Sequence, residues 1–189
     1  MKRLAPKRPA RPITAKYLRN AAALYLERYP STAEGLRRML QRRVARAQMA
    51  DAPILDNVQQ AIDAIVATFV SAGVIDDQAF AQTKAHALHR RGTSARMTRR
   101  RLTLAGIDPE TLDKAMAGLD EELHADPARR EWQAAAALAR RRRLGPYRAA
   151  EHRKDHRRRD LAALARAGFA YDLARRIVDA KDVDSLDEG

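Results

Sequence analysis

The chain has 189 residues, with 37 Lys/Arg against 24 Asp/Glu, a formal net charge of +13 and no cysteine. The absence of cysteine excludes disulfides, thiolate metal sites and cysteine nucleophiles together, and it fits a reducing compartment. The length suits one elongated domain or two compact ones, and the charge calls for an anionic partner, with nucleic acid or an acidic protein surface favoured over a membrane.

Residues 1–12 are expected to form a disordered basic arm. Pro6, Pro9 and Pro12 prevent a helix, and Lys2, Arg3, Lys7, Arg8 and Arg11 repel one another. The stretch lacks the apolar run of a secretory signal. From Ile13 onward the apolar spacing is helical, and aromatics make up only 5% of the chain, which favours helices over sheets. The first predicted helix covers residues 14–29, with Leu18, Ala22, Tyr25 and Tyr29 on one face, and Pro30 breaks it. Ser31 and Glu34 read as a capping box for a second helix, which buries Leu36, Met39, Leu40 and Val44 and exposes arginines. Asp56 is the expected cap of a third helix carrying Val58, Ile62, Ile65 and Phe69, ended by Gly73.

The same grammar returns twice. Asp76 opens a helix with Phe80, Ala81, Ala85 and Leu88, stopped at Gly92. Ser94 can cap a basic helix with Met97, Leu102 and Ala105 inward, and Gly106 ends it. Asp108-Pro109-Glu110 is a strong helix start, followed by Leu112, Ala115, Met116 and Leu119. Asp126-Pro127 begins the third set, a helix from Trp132 through Arg143 with a break at Gly145-Pro146. A further basic helix then has Leu161, Leu164 and Ala165 inward, and a last one carries Leu173, Ala174, Ile177 and Val178. Pairing Met39 and Val44 with Leu102 and Ile107, then with Leu164 and Phe169, gives offsets of 63 and 62 residues.

The reading is an all-α chain, an extended and curved solenoid of three tandem three-helix repeats. Its predicted divisions are the arm at 1–12, repeats at 13–75, 76–124 and 125–182, and an acidic tail at 183–189. Charge follows the same order. Segments 1–50, 51–75, 76–106, 107–126, 127–168 and 169–189 carry +11, −3, +5, −6, +9 and −3. The second helix of each repeat is basic, and the third is acidic or neutral.

Four basic clusters are the candidate binding residues. They are Arg37, Arg38, Arg42 and Arg43; Arg96, Arg99, Arg100 and Arg101; Arg140, Arg141, Arg142 and Arg143; and Arg153, Lys154, Arg157, Arg158 and Arg159. A solvated helix face would account for any one cluster. Recurrence on equivalent helices points to a shared anionic ligand, with each arginine clamping a phosphate or pairing with an acidic side chain. No aromatic residues interleave with them, so base stacking is not the expected mode.

Enzyme chemistry finds no support. P-loop, GxSxG and HExxH patterns are absent. His152 and His156 are spaced like a metal pair but sit among cations with no third ligand, and His86 with His89 is no better. Asp76-Asp77 suits capping rather than acid–base work. No metal or other cofactor is expected.

The ordered set of motifs resembles the RecX family. The resemblance is carried by residues 28–40 (RYPSTAEGLRRML), 72–81 (AGVIDDQAFA), the stretch from Arg90 to Asp108, and residues 161–175 (LAALARAGFAYDLAR). It covers residues 14–180. Two departures are Gly35, where the family commonly has leucine, and longer connections at 45–55 and 144–159. The resemblance implies a non-catalytic regulator of the RecA recombinase. Members of the family bind in the groove of the RecA–single-stranded-DNA filament, mainly inhibit it in DNA repair, homologous recombination and the SOS response, and can contact DNA. It also implies a cytoplasmic protein without a membrane partner, which we expect to be a monomer. The alternative reading is a stand-alone helical protein that binds single- or double-stranded DNA without specificity.

Overall fold

The computed structural model describes residues 12–186. The predicted arm therefore lies outside the described residues except for Pro12, as do the last three residues of the predicted tail. Nine α-helices are present among the described residues. They are α1 (Ala15–Arg28), α2 (Ala33–Gln48), α3 (Val58–Ser71), α4 (Asp77–Arg90), α5 (Ala95–Ala105), α6 (Pro109–Glu122), α7 (Pro127–Arg142), α8 (Ala150–Arg166) and α9 (Tyr171–Val178). Short 3-10 turns occur at Gly145–Tyr147 and Asp184–Leu186. The sole extended pairing described is a parallel bridge between Ile13 and Ile54. No described helix is long and apolar enough to cross a membrane.

The chain divides into two compact units, the first ending at Phe80 and the second starting at Ala81, inside the first turns of α4. In the first unit, α1–α3 bury Leu18, Ala22, Leu36, Leu40, Ile62 and Ile65 together. Tyr29, predicted for the core, is 58% exposed because it follows the end of α1. In the second unit, Trp132, Leu138, Leu164 and Ile177 anchor the core of α7–α9. Leu112, Ala115, Met116 and Leu119 of α6 are all buried, as their spacing requires. Ala165 is exposed, and Ala163 takes the inward position predicted for it.

The caps show where local sequence decides and where it does not. Ser94, Asp108 and Asp126 cap α5, α6 and α7 as predicted. For α2 the cap is Thr32 rather than Ser31: Thr32 Oγ1 accepts from Gly35 N at 2.9 Å. Glu34 therefore falls in the first turn, bound to Arg37 and Arg38, and closes no capping box. Asn57, not Asp56, precedes α3, and its side chain makes no cap hydrogen bond.

A second carboxylate completes two of these helix starts. Ala33 N donates to Asp77 Oδ1 at 2.9 Å, and Ala95 N donates to Glu131 Oε2 at 2.8 Å. In both cases the first residue of a basic helix is held by an acid from the first helix of the next predicted repeat. These two N–H groups have no partner within their own helix. α8 follows Ala149, which provides no side-chain cap.

The three basic helices α2, α5 and α8 correspond at a spacing of 62 residues, whereas α4 and α7 start 50 residues apart and α3 and α6 start 51 apart. Leu36, Thr98 and Asp160 are buried at this spacing, as are Leu40, Leu102 and Leu164. Gly106 and Gly168 share the left-handed backbone at φ 90° and 95°. The offset of 63 for the first pair is thus corrected by one residue. The error arose because α2 runs to Gln48, beyond the point where α5 stops.

Ser94 and Glu131 yield two stability predictions. Ser94 is fully buried, accepts from Met97 N at 3.3 Å and donates to Ala167 O at 2.8 Å. Ser94→Ala removes a cap and leaves a carbonyl unpaired, an expected loss of about 2 kcal/mol by urea denaturation. Burial holds the Glu131 carboxyl above the ordinary carboxylate range, against the opposing hydrogen bond from Ala95 N. A raised folded-state pKa favours the fold below the unfolded value, and this contribution is lost as pH rises through the folded value. Glu131→Gln keeps an acceptor for Ala95 N without the charge. Relative to wild type, the variant should gain urea resistance as pH rises from 4 to 7, and a gap independent of pH would contradict this assignment.

Candidate functional site

Each predicted repeat ties one arginine of its basic helix to an aspartate within or directly after its third helix. Arg37 Nε meets Asp63 Oδ1 at 3.0 Å, Arg99 Nη1 meets Asp113 Oδ1 at 2.5 Å, and Arg157 Nε meets Asp179 Oδ1 at 2.7 Å. The Arg157 pair is bidentate, through a second 2.7 Å bond from Nη2 to Oδ2. Hydrogen bonding to Arg37 holds Asp63 below the ordinary carboxylate range, and Arg157 does the same for Asp179. All three pairs are open to solvent, which screens them, so each adds little to stability. Their larger consequence is to take three of the candidate cations out of contention.

Other candidates also serve their own chain. Arg38 binds Glu34, and Arg43 donates to Tyr17 Oη and Met39 Sδ. Arg153 donates to three backbone carbonyls, those of Pro146, Arg148 and Lys181, and pins the turn before α8 to the segment that follows α9. Asp160 does the same from within: 1% exposed, it accepts from Gly145 N at 2.9 Å and binds Arg148 at 2.9 Å.

The remaining cations are not spread evenly. Arg42, Arg96, Arg100, Arg140, Arg143, Lys154 and Arg158 are exposed on separate stretches of helix. Arg101 of α5, Arg141 and Arg142 of α7, and Arg159 and Arg166 of α8 instead line two adjoining pockets that share Arg142, Ala163 and Arg166. None of these five has a carboxylate in salt-bridge contact among the described residues. The only acid lining this groove is Asp160, already engaged by Arg148 and Gly145 N. Cations gathered from three helices, with one acid already engaged by Arg148, raise the local potential and favour a multivalent anion.

Backbone packing brings the three helices together. Gly92, in the turn between α4 and α5, adopts φ +67°, and a Cβ there would lie 2.4 Å from Leu138 N. At the other end of the groove, a Cβ on Gly168 would lie 2.5 Å from Ser94 Oγ. These contacts seat the start of α5 against α7 and the end of α8.

Sequence reasoning missed Arg148 and Arg166. The signal for Arg166 was present, since Arg159, Ala163 and Arg166 follow i, i+4, i+7 on one helical face. Arg166 is also two steps of 62 residues beyond Arg42. Arg148 gave no sign in the sequence, because its partner Asp160 lies in another element.

The histidines have separate settings. His86 Nε2 contacts Glu122 Oε2 at 2.7 Å. Burial, reinforced by the charge of Arg130, holds His89 below the ordinary imidazole range. His152 and His156 meet edge to face at 6.5 Å. No group of three or more metal-ligating side chains occurs among the described residues.

Comparison with known proteins agrees with this architecture. The family model described as RecX, second three-helix domain, matches residues 76–116. Regulatory protein RecX of Myxococcus xanthus strain DK1622 is 39% identical over 180 residues, covering 95% of this chain and 92% of that protein. Regulatory protein RecX of Streptomyces lividans is 31% identical over 157 residues, covering 76% of this chain and 77% of that protein. The crystal structure of RecX from Lactobacillus salivarius superposes with a TM-score of 0.57 at 18% identity, over 93% of this chain and 97% of that one. That likeness shows a common fold. Identity of this extent over nearly the whole of both sequences shows more, and the chain belongs to the RecX family of regulatory proteins.

Proposed function

We propose that this protein regulates the RecA recombinase by binding the RecA–single-stranded-DNA filament, mainly restraining it during DNA repair, homologous recombination and the SOS response. The observation that carries the reading is the groove of Arg101, Arg141, Arg142, Arg159 and Arg166, five cations without a carboxylate partner among the described residues. Membership of the RecX family supports the choice of partner. Guanidinium groups in such a groove form bidentate contacts with DNA phosphates or with acidic side chains at the filament surface. The exposed cations elsewhere, Arg42, Arg96 and Arg100 among them, supply further weak contacts. Several such contacts along one filament add as avidity.

In this reading the three-helix repeats at 13–75, 76–124 and 125–182 are the modules that present these cations. The protein acts in the cytoplasm as a monomer, by occupancy and without a cofactor or catalytic step. It prefers the assembled filament to free recombinase. The test is to titrate it into preformed RecA filaments on single-stranded DNA while following ATP hydrolysis and strand exchange. A saturable change is expected. If both are unchanged at saturation while the protein still binds naked DNA with a steep salt dependence, stand-alone DNA binding is the better account.

A further inference from the structure

A second basic site lies around Trp132, built from residues separate from the groove. Trp132 is the only tryptophan of the chain and is 8% exposed. Its indole Nε1 donates to Leu186 O at 2.8 Å, which fixes the ring, and the Arg176 guanidinium lies 4.6 Å from the ring centroid. Ala128, Trp132 and Leu173 form an apolar floor, with Arg129 and Arg176 at the rim. Arg175 and Lys181 continue the rim into an adjoining pocket.

The acids at this rim are already engaged. Asp126 accepts from Arg129 N, Glu131 from Ala95 N, and Asp179 holds Arg157. Arg129, Arg175 and Arg176 make no salt bridge among the described residues. A small apolar floor ringed by unpaired guanidinium groups is complementary to carboxylates flanking an aliphatic side chain. Nucleic acid fits less well, because an apolar floor offers nothing to a phosphodiester.

We propose that the Trp132 pocket is a docking site for an acidic peptide segment of a protein partner, with an aliphatic residue seated on the Trp132–Leu173 floor between carboxylates bound by Arg129, Arg175 and Arg176. The inference does not rest on the groove or on the identity of the filament.

The probe is a short labelled peptide with two leucines set among Asp and Glu. Label anisotropy gives its affinity, and Trp132 emission, the only tryptophan signal, reports whether it reaches the pocket. A saturable change in emission is expected. Arg129→Glu with Arg176→Glu should weaken binding at least about tenfold, as should replacing both leucines by Glu. Arg142→Glu with Arg166→Glu should leave the affinity unchanged, and a single-stranded oligonucleotide should not displace the peptide. If the double variant at the pocket fails to fold, Arg175→Glu alone provides the comparison, with a severalfold loss expected. Absence of an emission change, indifference to the pocket variants, or displacement by the oligonucleotide would each overturn the proposal, the last by making the pocket part of a nucleic-acid surface. Filament ATPase is not read in this experiment, so failure here and failure of the proposed function remain distinct.

Discussion

Gly92→Ala is expected to destabilise the second compact unit by roughly 3–5 kcal/mol in urea denaturation. Two effects add. The backbone at φ +67° disfavours any side chain, which costs about 1–2 kcal/mol. A Cβ would also fall 2.4 Å from Leu138 N and 2.7 Å from Ala134 O, both backbone atoms of α7 that have no rotamer to move aside. Gly73 provides the control, since it has the same φ of +67° and nothing within 4 Å of its would-be Cβ. Gly73→Ala should therefore cost only the conformational part, about 1–2 kcal/mol. Equal losses at the two glycines would mean that α5 does not depend on close approach to α7. Because Gly92 lines the groove, the same variant should also weaken anion binding by moving Arg101 away from Arg141 and Arg142.

The largest functional effect is expected from reversing two groove cations. Arg142 and Arg166 are the arginines common to both pockets, and neither has a carboxylate partner among the described residues. At about 1.5 kcal/mol per charged hydrogen bond, Arg142→Glu with Arg166→Glu should weaken binding to a single-stranded oligonucleotide roughly a hundredfold. Loss of two phosphate contacts should also flatten the salt dependence, by about 1.4 in the slope of log K against log salt. Stability should hold or rise slightly, because the change relieves repulsion among like charges. Arg99→Gln with Arg157→Gln is the matched comparison. It breaks two solvent-screened ties to Asp113 and Asp179, should change stability little, and should leave oligonucleotide binding within about twofold.

The helices were legible because their signals are local. Asp108-Pro109, Asp126-Pro127 and Ser94 mark their own starts, and apolar spacing places Leu112, Ala115, Met116 and Leu119 inward. The α2 cap was not legible in the same way. Ser31 and Thr32 both offer a hydroxyl acceptor, and Asp77, which holds the first residue of α2, lies 44 residues further on. The candidate site divides along the same line. Composition identified the basic helices but could not separate cations that face solvent from those tied to their own fold. Arg37 is matched to Asp63, Arg157 to Asp179 and Arg153 to three carbonyls, pairings that only tertiary packing creates. Arg101, Arg142 and Arg159 stood in three different sequence clusters, and their common groove follows from Gly92 and Gly168 bringing α5, α7 and α8 together.

The aspartates within or directly after the third helices also take on a definite role. Asp63, Asp113 and Asp179 each hold one arginine of the neighbouring basic helix, so the alternation of charge along the chain partly reflects internal pairing. The net charge of +13 overstates what is available to a partner. Beside cations exposed singly on the helices, available cations gather where acids are already engaged, in the groove and around Trp132.

The most direct measurement is the ATPase of preformed RecA filaments on single-stranded DNA, titrated in parallel with the wild-type protein, the Arg142→Glu/Arg166→Glu variant and the Arg99→Gln/Arg157→Gln variant. The expected result is inhibition by wild type, inhibition by the tie variant at nearly the same concentration, and a loss of potency of roughly a hundredfold for the groove variant. Equal inhibition by all three, or no effect of the wild-type protein at saturation, would contradict the assignment of the groove as the surface that engages the filament.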